Sequence, residues 1–277
     1  MGLSIATRTV TDIKLAQQTE LSSRAFNAAE AGIESVLSGQ SPIGSVTVGL
    51  GGNTSTYNVT VQTVGGSSGQ AFVFNKAIGK DDTQQIWFIG HNTDNSLNLN
   101  DPKNFNASSL WVFWGNTGQP AGNTSPPITP ALEATAIYKD ASGFKLARAV
   151  YDPNASRAAS NNFISSGIES GGGYTNSKIQ FRRQIDLSTS PFSISGIGTT
   201  STLYALRLRL LYNDSPQLLG AQPYGVNDTF PVQGRLISST GSSGDVFRKV
   251  EVLESFPALP PIFDYVLFNG SSNSLSK

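Results

Sequence analysis

The distribution of apolar and polar positions divides the chain into one long N-terminal helix and a series of short strands. Residues 3–38 contain no proline and a single glycine, Gly32, and the run ends at the stop signals Gly39 and Pro42. A helix of this span is about 54 Å long at a rise of 1.5 Å per residue. The pattern therefore predicts a rod that precedes the rest of the fold.

The apolar residues of this predicted helix form two stripes on different sides. The second stripe is rotated from the first by roughly a quarter to a third of a turn at 100° per residue. We expect the second half to pack on the protein's own β-rich part and the first half to pack on something else. The alternative is a bent helix on a single core, because surface helices commonly curve. The first stripe contains Leu3, Ala6, Val10, Ile13 and Leu21, and the second contains Ala25, Phe26, Ala29, Gly32, Ile33, Val36 and Leu37.

After Pro42 the pattern changes to short runs typical of strands. Turn residues predict three hairpins, around GGN, around DASG and around a Gly/Ser turn within 234–255, and two continuous apolar runs predict buried strands. The fold class predicted is α+β, with a long N-terminal α-helix and a large, mainly antiparallel β-rich head. The strands are expected within 45–50, 55–64, 85–90, 109–115, 134–151, 178–187, 202–212 and 234–255.

A polar stretch interrupts the strands between residues 152 and 177. It is either a link between two β subdomains or a long surface excursion of one domain. The predicted division is an N-terminal helix over 1–40 and a β-rich head over 41–277, with a possible boundary inside the head near 152–177.

Composition narrows the classes of function. The chain has 277 residues with 19 basic and 19 acidic side chains, so its charge gives no support to nucleic-acid binding. It has no cysteine and one histidine, which excludes disulfides, cysteine metal sites and histidine zinc clusters. We expect no cofactor.

The first 36 residues also carry a resemblance. The segment GLSIATRTVTDIKLAQQTELSSRAFNAAEAGIESVL, with its Ala-Ala-Glu-Ala motif at 28–31, resembles the N-terminal region of bacterial type IV pilin-like proteins, in particular minor pilins of the PilX type. The hairpin LISSTGSSGDVFRKVEV is similar to the strand–turn–strand that closes such proteins. About 190 residues between these segments carry no resemblance.

The resemblance implies a structural, non-enzymatic role in a pilus-like filament, as a minor pilin or pseudopilin. It implies that Leu3, Ala6, Val10 and Ile13 face other pilin subunits, and that Phe26, Ala29, Ile33 and Leu37 face the head. It further implies anchoring in the inner membrane before assembly and display at the cell surface afterwards.

The start of the chain departs from the pattern of that family. Neither a basic leader nor an apolar run of about 20 residues precedes the motif, and no run reaches the length of a membrane span. We therefore expect Met1 to be a late start within a longer, membrane-anchored subunit.

The remaining candidate sites are weaker. The oxygen-rich loop that holds His91, Asp94, Asn95, Asn98, Asn100 and Asp101 is either a calcium site or an ordinary turn. Trp87, Trp111, Phe113 and Trp114 are either core residues or a carbohydrate-stacking platform. The platform would favour the alternative function of a surface adhesin or glycan-binding module on a helical stalk.

A third possible function is that of a hydrolase that uses carboxylates such as Asp94 and Glu133, and it requires the two carboxylates to be paired. We predict no catalytic, cofactor-binding or metal-binding residues, and the ligand of the head stays unidentified.

Overall fold

The computed structural model describes residues 2–39, 44–48 and 54–260, without the side chains of residues 2–10, 44 and 177. The helices over these residues are α1 (Gly2–Leu37), α2 (Ala155–Asn161) and α3 (Tyr174–Ser177). The strands are β1 (Gly44–Val48), β2 (Ser55–Gly65), β3 (Phe72–Val73), β4 (Thr83–Trp87), β5 (Gly90–His91), β6 (Leu97–Asn98), β7 (Ser109–Asn116), β8 (Ala131–Asp140), β9 (Gly143–Tyr151), β10 (Ile168–Glu169), β11 (Ile179–Asp186), β12 (Thr202–Leu211), β13 (Leu219–Pro223), β14 (Val232–Ser243) and β15 (Val246–Ser255).

The strands form antiparallel ladders in four sheets. Their orders are β1-β2-β14-β15, β10-β11-β7-β13-β3, β4-β12-β8-β9 and β5-β6. A long N-terminal helix followed by antiparallel strands confirms the predicted α+β class. The three predicted hairpins form, since β1 pairs with β2, β8 pairs with β9 around the turn between Asp140 and Gly143, and β14 pairs with β15.

The chain divides into two compact units, and it leaves the first unit and later returns to it. The first unit contains residues 1–64 and 234–255, and the second contains residues 65–233 and 256–277. These units do not follow the predicted division into a helix over 1–40 and a head over 41–277. The helix shares a unit with β1, β2, β14 and β15, while the other strands belong to the second unit.

The first unit has a small apolar core between α1 and its sheet. Six buried residues form this core, three from the helix and three from the two central strands: Ala28, Ile33, Val36, Tyr57, Val59 and Ile237. Valines at 46, 48, 250 and 252 pack against its edge. The period-two pattern of β2 and β14 provides the sheet face on which the helix lies.

The second unit buries alternate residues of β7 and β11. On one face Leu110, Val112 and Trp114 are buried, and Phe181 and Ile185 lie across from them in register. The Trp114 indole also donates a hydrogen bond to the Pro130 carbonyl, 3.1 Å away.

Strand β12 is buried on both faces. Leu206, Leu208 and Leu210 are fully buried on one side, and Arg207 on the other side is only 4% exposed. Arg207 donates to the Gln85 amide oxygen at 2.9 Å, and Arg209 reaches the Asp81 carboxylate at 3.2 Å. The two arginines are tolerated inside the sheet because polar partners meet them.

The polar stretch 152–177 is not the place where the chain divides. It lies inside the second unit and forms α2, β10 and α3. The Asn154 side chain caps α2 by accepting a hydrogen bond from the Arg157 backbone amide, and the Arg157 side chain pairs with the buried carboxylate of Asp152. These contacts hold the stretch within the second unit. Of the two interpretations, a long surface excursion of one domain agrees with this position, and a link between two β subdomains does not.

Candidate functional site

The second half of α1 is seated on the sheet of the first unit. Its buried positions recur every three or four residues, as expected for one face of a helix: Ala25, Ala28, Ala29, Gly32, Ile33 and Val36. The contact begins near Ser22, whose hydroxyl accepts a hydrogen bond from Arg248 Nε of β15 at 2.9 Å.

Two glycines allow a close approach of the helix and the sheet, at Gly241 against the helix backbone and at Gly32 against side chains of the sheet. A Cβ atom on Gly241 of β14 would lie 1.9 Å from the Ala25 carbonyl oxygen and 2.6 Å from the Ala29 amide nitrogen. A Cβ atom on Gly32 would lie 2.3 Å from the Ser239 hydroxyl oxygen. Neither position therefore has room for a larger residue.

The structure corrects part of the predicted inner face. Ala29 and Ile33 are buried, but Phe26 is 44% exposed and Leu37 is 48% exposed. The close approach at the two glycines centres the helix on its small residues. At about 100° per residue, Phe26 and Leu37 lie beyond Ile33, at the rim of the buried stripe.

The preceding part of α1 has no cover within the described residues. Every residue from 11 to 20 is helical and exposed. Ile13 is 54% exposed and Leu15 is 62% exposed, although both are large apolar side chains. Of the predicted subunit-facing residues, Ile13 is thus on an open surface, while the side chains of Leu3, Ala6 and Val10 lie outside the described part.

The oxygen-rich loop after β5 uses its side chains in local turns. The Asp94 carboxylate accepts bonds from the Ser96 amide and hydroxyl, which lowers the pKa of Asp94. Asn98 accepts from the Asn100 amide, and Asp101 accepts from the Lys103 amide. No group of three or more histidine or carboxylate residues able to hold a metal ion occurs in the described ranges.

His91 and Trp87 lie in an aromatic cluster. The His91 ring stacks on Phe256 at 3.9 Å between centroids and meets Trp87 edge-to-face at 4.7 Å. Burial lowers the pKa of His91. Its Nδ1 and the Trp87 indole nitrogen are buried without a hydrogen-bond partner among the described atoms.

The four aromatic residues proposed as a platform separate into different places. Trp114 and Phe113 are buried, so both are core residues. Trp87 belongs to the cluster with His91. Trp111 is half-buried and is the member of the set that lies on an outer face of its sheet.

The two carboxylates suggested for a hydrolase have separate surroundings. Glu133 is 8% exposed on β8 and lies 3.4 Å from Arg148 and 4.0 Å from Arg209. Asp94 is engaged by Ser96 in its exposed loop. Each carboxylate has its own partners, and the two do not form an acid–base pair with each other.

Comparison with known proteins identifies no relative. No protein-family model, no curated protein and no solved structure matches this chain. Within the described residues, no helix is long and apolar enough to cross a membrane.

Gly241 is the site residue that the pattern analysis missed. It belongs to the Gly/Ser segment at which the last hairpin was predicted to turn. The structure continues β14 to Ser243 and turns only at the next residues. A glycine within a strand pattern is a recognised signal of close backbone approach, and it was available in the sequence.

Proposed function

We propose that this chain is a structural subunit, a minor pilin or pseudopilin, of a bacterial type IV pilus-like filament or of its assembly system. The resemblance of residues 2–37 to pilin-like proteins is the starting point. In this proposal the chain catalyses no reaction and needs no cofactor.

The observation that carries the proposal is the exposed part of α1. A helix of ten residues without tertiary contacts is marginal in water, because most helical stability in proteins comes from packing. Ile13 and Leu15 add apolar surface that solvent-exposed helices usually avoid. Packing between the helices of neighbouring subunits would bury the side of this surface that carries Ile13.

The seat of α1 on its sheet supports the same role. A filament subunit must transmit force between its assembly helix and its folded body. Gly241 brings the strand against the backbone of Ala25 and Ala29, Gly32 lies close to side chains of the sheet, and the small apolar core around Ile33 strengthens this seat. The proposed partners are other pilin subunits, and the proposed location is the cell surface after anchoring in the inner membrane.

Surface labelling of cells that carry the native gene tests this function. Antibodies against the chain should label surface filaments in electron micrographs, and filaments sheared from the cells should contain the chain. A chain found only inside cells, or free in the medium while filaments are present, would contradict the proposal.

A pair of variants tests the assigned helix face. Ile13→Asp should remove the chain from sheared filaments, since a carboxylate would be buried among neighbouring helices. Leu15→Asp is the matched control, because Leu15 has a similar exposure and lies about 200° around the helix from Ile13. Equal retention of both variants would show that the Ile13 face does not contact other subunits.

A further inference from the structure

The sheet β10-β11-β7-β13-β3 carries a half-buried tryptophan, Trp111, at its centre, on the face opposite Leu110 and Val112. Register places Trp111 of the central strand β7 beside Gln184 of β11 and Gln222 of β13. Its neighbours Leu110 and Val112 are buried on the opposite face. Packing in the core therefore explains the apolar side chains of Leu110 and Val112, but it does not explain the aromatic side chain of Trp111 on the opposite face.

Trp111 is part of a row of stacked side chains. The Arg182 guanidinium lies 4.5 Å from the centroid of the Trp111 ring and 4.4 Å from that of Tyr174. On the other side, the Tyr224 ring lies 6.0 Å from Trp111 with a tilt of 40°. We call the four side chains Tyr174, Arg182, Trp111 and Tyr224 the aromatic ladder.

The positive charge of Arg182 in the ladder is compensated by the neighbouring Glu169. Arg182 donates from Nε at 2.9 Å and from Nη2 at 2.7 Å to the same carboxylate oxygen of Glu169. The Tyr174 hydroxyl donates to that oxygen at 3.3 Å. The ladder thus presents aromatic surface without excess positive charge.

The turn that holds Tyr174 has an unusual backbone. Gly172, Gly173, Thr175 and Asn176 all have positive φ, and for the β-branched Thr175 a φ of 53° is a strained conformation. Gln180 ties the turn to β11, since its side chain donates to the Ser170 carbonyl at 2.6 Å. Such strain persists where the surrounding contacts hold it, and it is common at binding sites.

We propose that the aromatic ladder binds an uncharged carbohydrate. Tyrosine and tryptophan offer an apolar ring face and a polar tip, which suits the C–H face and the hydroxyl rim of a pyranose. Gln184 and Gln222 flank Trp111 in register. The carboxamide of the exposed Gln184 can both donate to and accept from sugar hydroxyls, and Gln222, whose Nε2 donates to the Gly69 carbonyl at 2.7 Å, can accept through its Oε1. Tyr224 is 52% exposed and provides the most accessible ring.

A single-stranded nucleic acid is the other ligand that stacks on aromatic rings. Binding of that kind depends on cationic side chains that neutralise phosphates. The arginine of the ladder is already paired with Glu169, and the chain has no net charge. These charges favour a neutral sugar.

The proposal does not depend on filament assembly, because all four side chains lie in the second unit. It is tested with the purified chain by calorimetry against cellohexaose, chitohexaose, xylohexaose and mannohexaose, and by sedimentation with insoluble cellulose and chitin. A thymidine oligonucleotide serves as the charged probe. Binding to a soluble hexamer supports recognition of free oligosaccharide chains, and binding to the insoluble polymers alone supports recognition of a polysaccharide surface.

Substitutions then assign the binding to the ladder. Tyr224→Ala and Trp111→Ala should each weaken binding by about tenfold or more, as expected for central aromatic contacts. Tyr224 is largely exposed, so its substitution keeps the test valid even where Trp111→Ala impairs folding. Phe144→Ala is the matched control, since Phe144 is a 65% exposed aromatic residue of another sheet in the same unit, and it should bind like the parent.

Three results would overturn the proposal. The first is absence of binding to every sugar probe. The second is unchanged affinity in both Tyr224→Ala and a folded Trp111→Ala. The third is stronger binding to the oligonucleotide than to the sugars.

Discussion

Gly241 of β14 lies directly beneath α1, where one additional methyl group would meet the backbone atoms of Ala25 and Ala29. A flexible side chain could move away from such a group, but two backbone segments in regular structure cannot do so at low cost. The position of the whole helix on its sheet therefore depends on the absence of one side chain.

Gly241→Ala should lower the free energy of unfolding by about 1–3 kcal/mol, because the helix must shift from its seat. Gly122→Ala is the control, since nothing lies within 4 Å of a Cβ at that exposed position. Denaturant unfolding of both variants measures the difference. Equal stability of the two would contradict the close backbone contact.

The buried pair of Asp152 and Arg157 gives a second prediction at this scale. The Asp152 side chain is fully buried, and it accepts from Arg157 Nε at 2.7 Å and from Nη2 at 2.9 Å. Arg157→Met would leave a buried carboxylate without its cation, and it should cost about 3–5 kcal/mol in unfolding experiments. Lys145→Met breaks an exposed pair with Asp140 and should have a much smaller effect. Similar losses in the two variants would disprove the importance of burial here.

His91 gives a prediction for pH. Burial lowers its pKa from the ordinary value of 6.5, so the unfolded chain takes up the proton at a higher pH than the folded chain. The contribution of His91 to stability is therefore full above pH 6.5 and is lost as the pH falls toward the lower, folded pKa. The chain has one histidine, so a single NMR signal reports the titration. A midpoint at or above 6.5 would contradict the burial of the ring.

At the scale of elements, α1 has two parts that differ in their surroundings. The part from Leu21 onward packs on β2, β14 and β15, and the part from residue 11 to 20 is exposed. The change in surroundings agrees with the two stripes in the sequence. It does not need a kink, because α1 is one continuous helix from Gly2 to Leu37.

Ile33→Asp should destabilise the first unit by roughly 2–5 kcal/mol, since it replaces a core residue by an unpaired carboxylate. Phe26→Asp on the rim of the same helix should cost under about 1 kcal/mol, because its side chain is 44% exposed. Circular dichroism during denaturation measures both. A larger loss of stability for Phe26→Asp than for Ile33→Asp would contradict the rim position of Phe26 and support its place on the inner face, as predicted from the sequence.

The sequence predicted long, strongly patterned elements well and predicted short ones poorly. The helix and the hairpins β1–β2 and β8–β9 follow from local periodicity and turn residues. Strands such as β3, β6 and β10 contain two residues each, which is too short for any period, and they form because a neighbouring strand is already in place. The sequence placed both Ile33 and Phe26 on the inner face of α1, but only Ile33 is buried, while Phe26 is 44% exposed. Gly241, in a distant part of the chain, sets which side of the helix meets the sheet.

At the scale of the whole molecule, the order of the strands along the chain does not match their division into two units. The sheet of the first unit combines β1 and β2 with β14 and β15, and residues 65–233 between them belong to the second unit. Period and turn chemistry describe neighbours along the chain, so they place every strand after the helix in one head. The chain between β2 and β14 is far longer than a typical connection between strands, so no local signal in the sequence predicts that these two strands pair.

The same division gives each proposal its own part of the molecule. The proposed filament role depends on α1 in the first unit, and the proposed sugar site depends on the aromatic ladder in the second. A subunit that assembles through one unit and binds a ligand through the other would account for both the exposed part of the helix and the aromatic ladder.

The central claim is that the exposed part of α1 packs against other subunits, and cross-linking in filaments tests it most directly. The chain contains no cysteine, so Ile13→Cys and Leu15→Cys each introduce a single thiol. After mild oxidation of surface filaments, Ile13→Cys combined with a cysteine at the facing position of a second copy or neighbouring pilin should give linked subunits on a non-reducing gel. Leu15→Cys with the same partner should give few. Filaments that contain the chain but show no helix-to-helix link at any facing position would contradict the account.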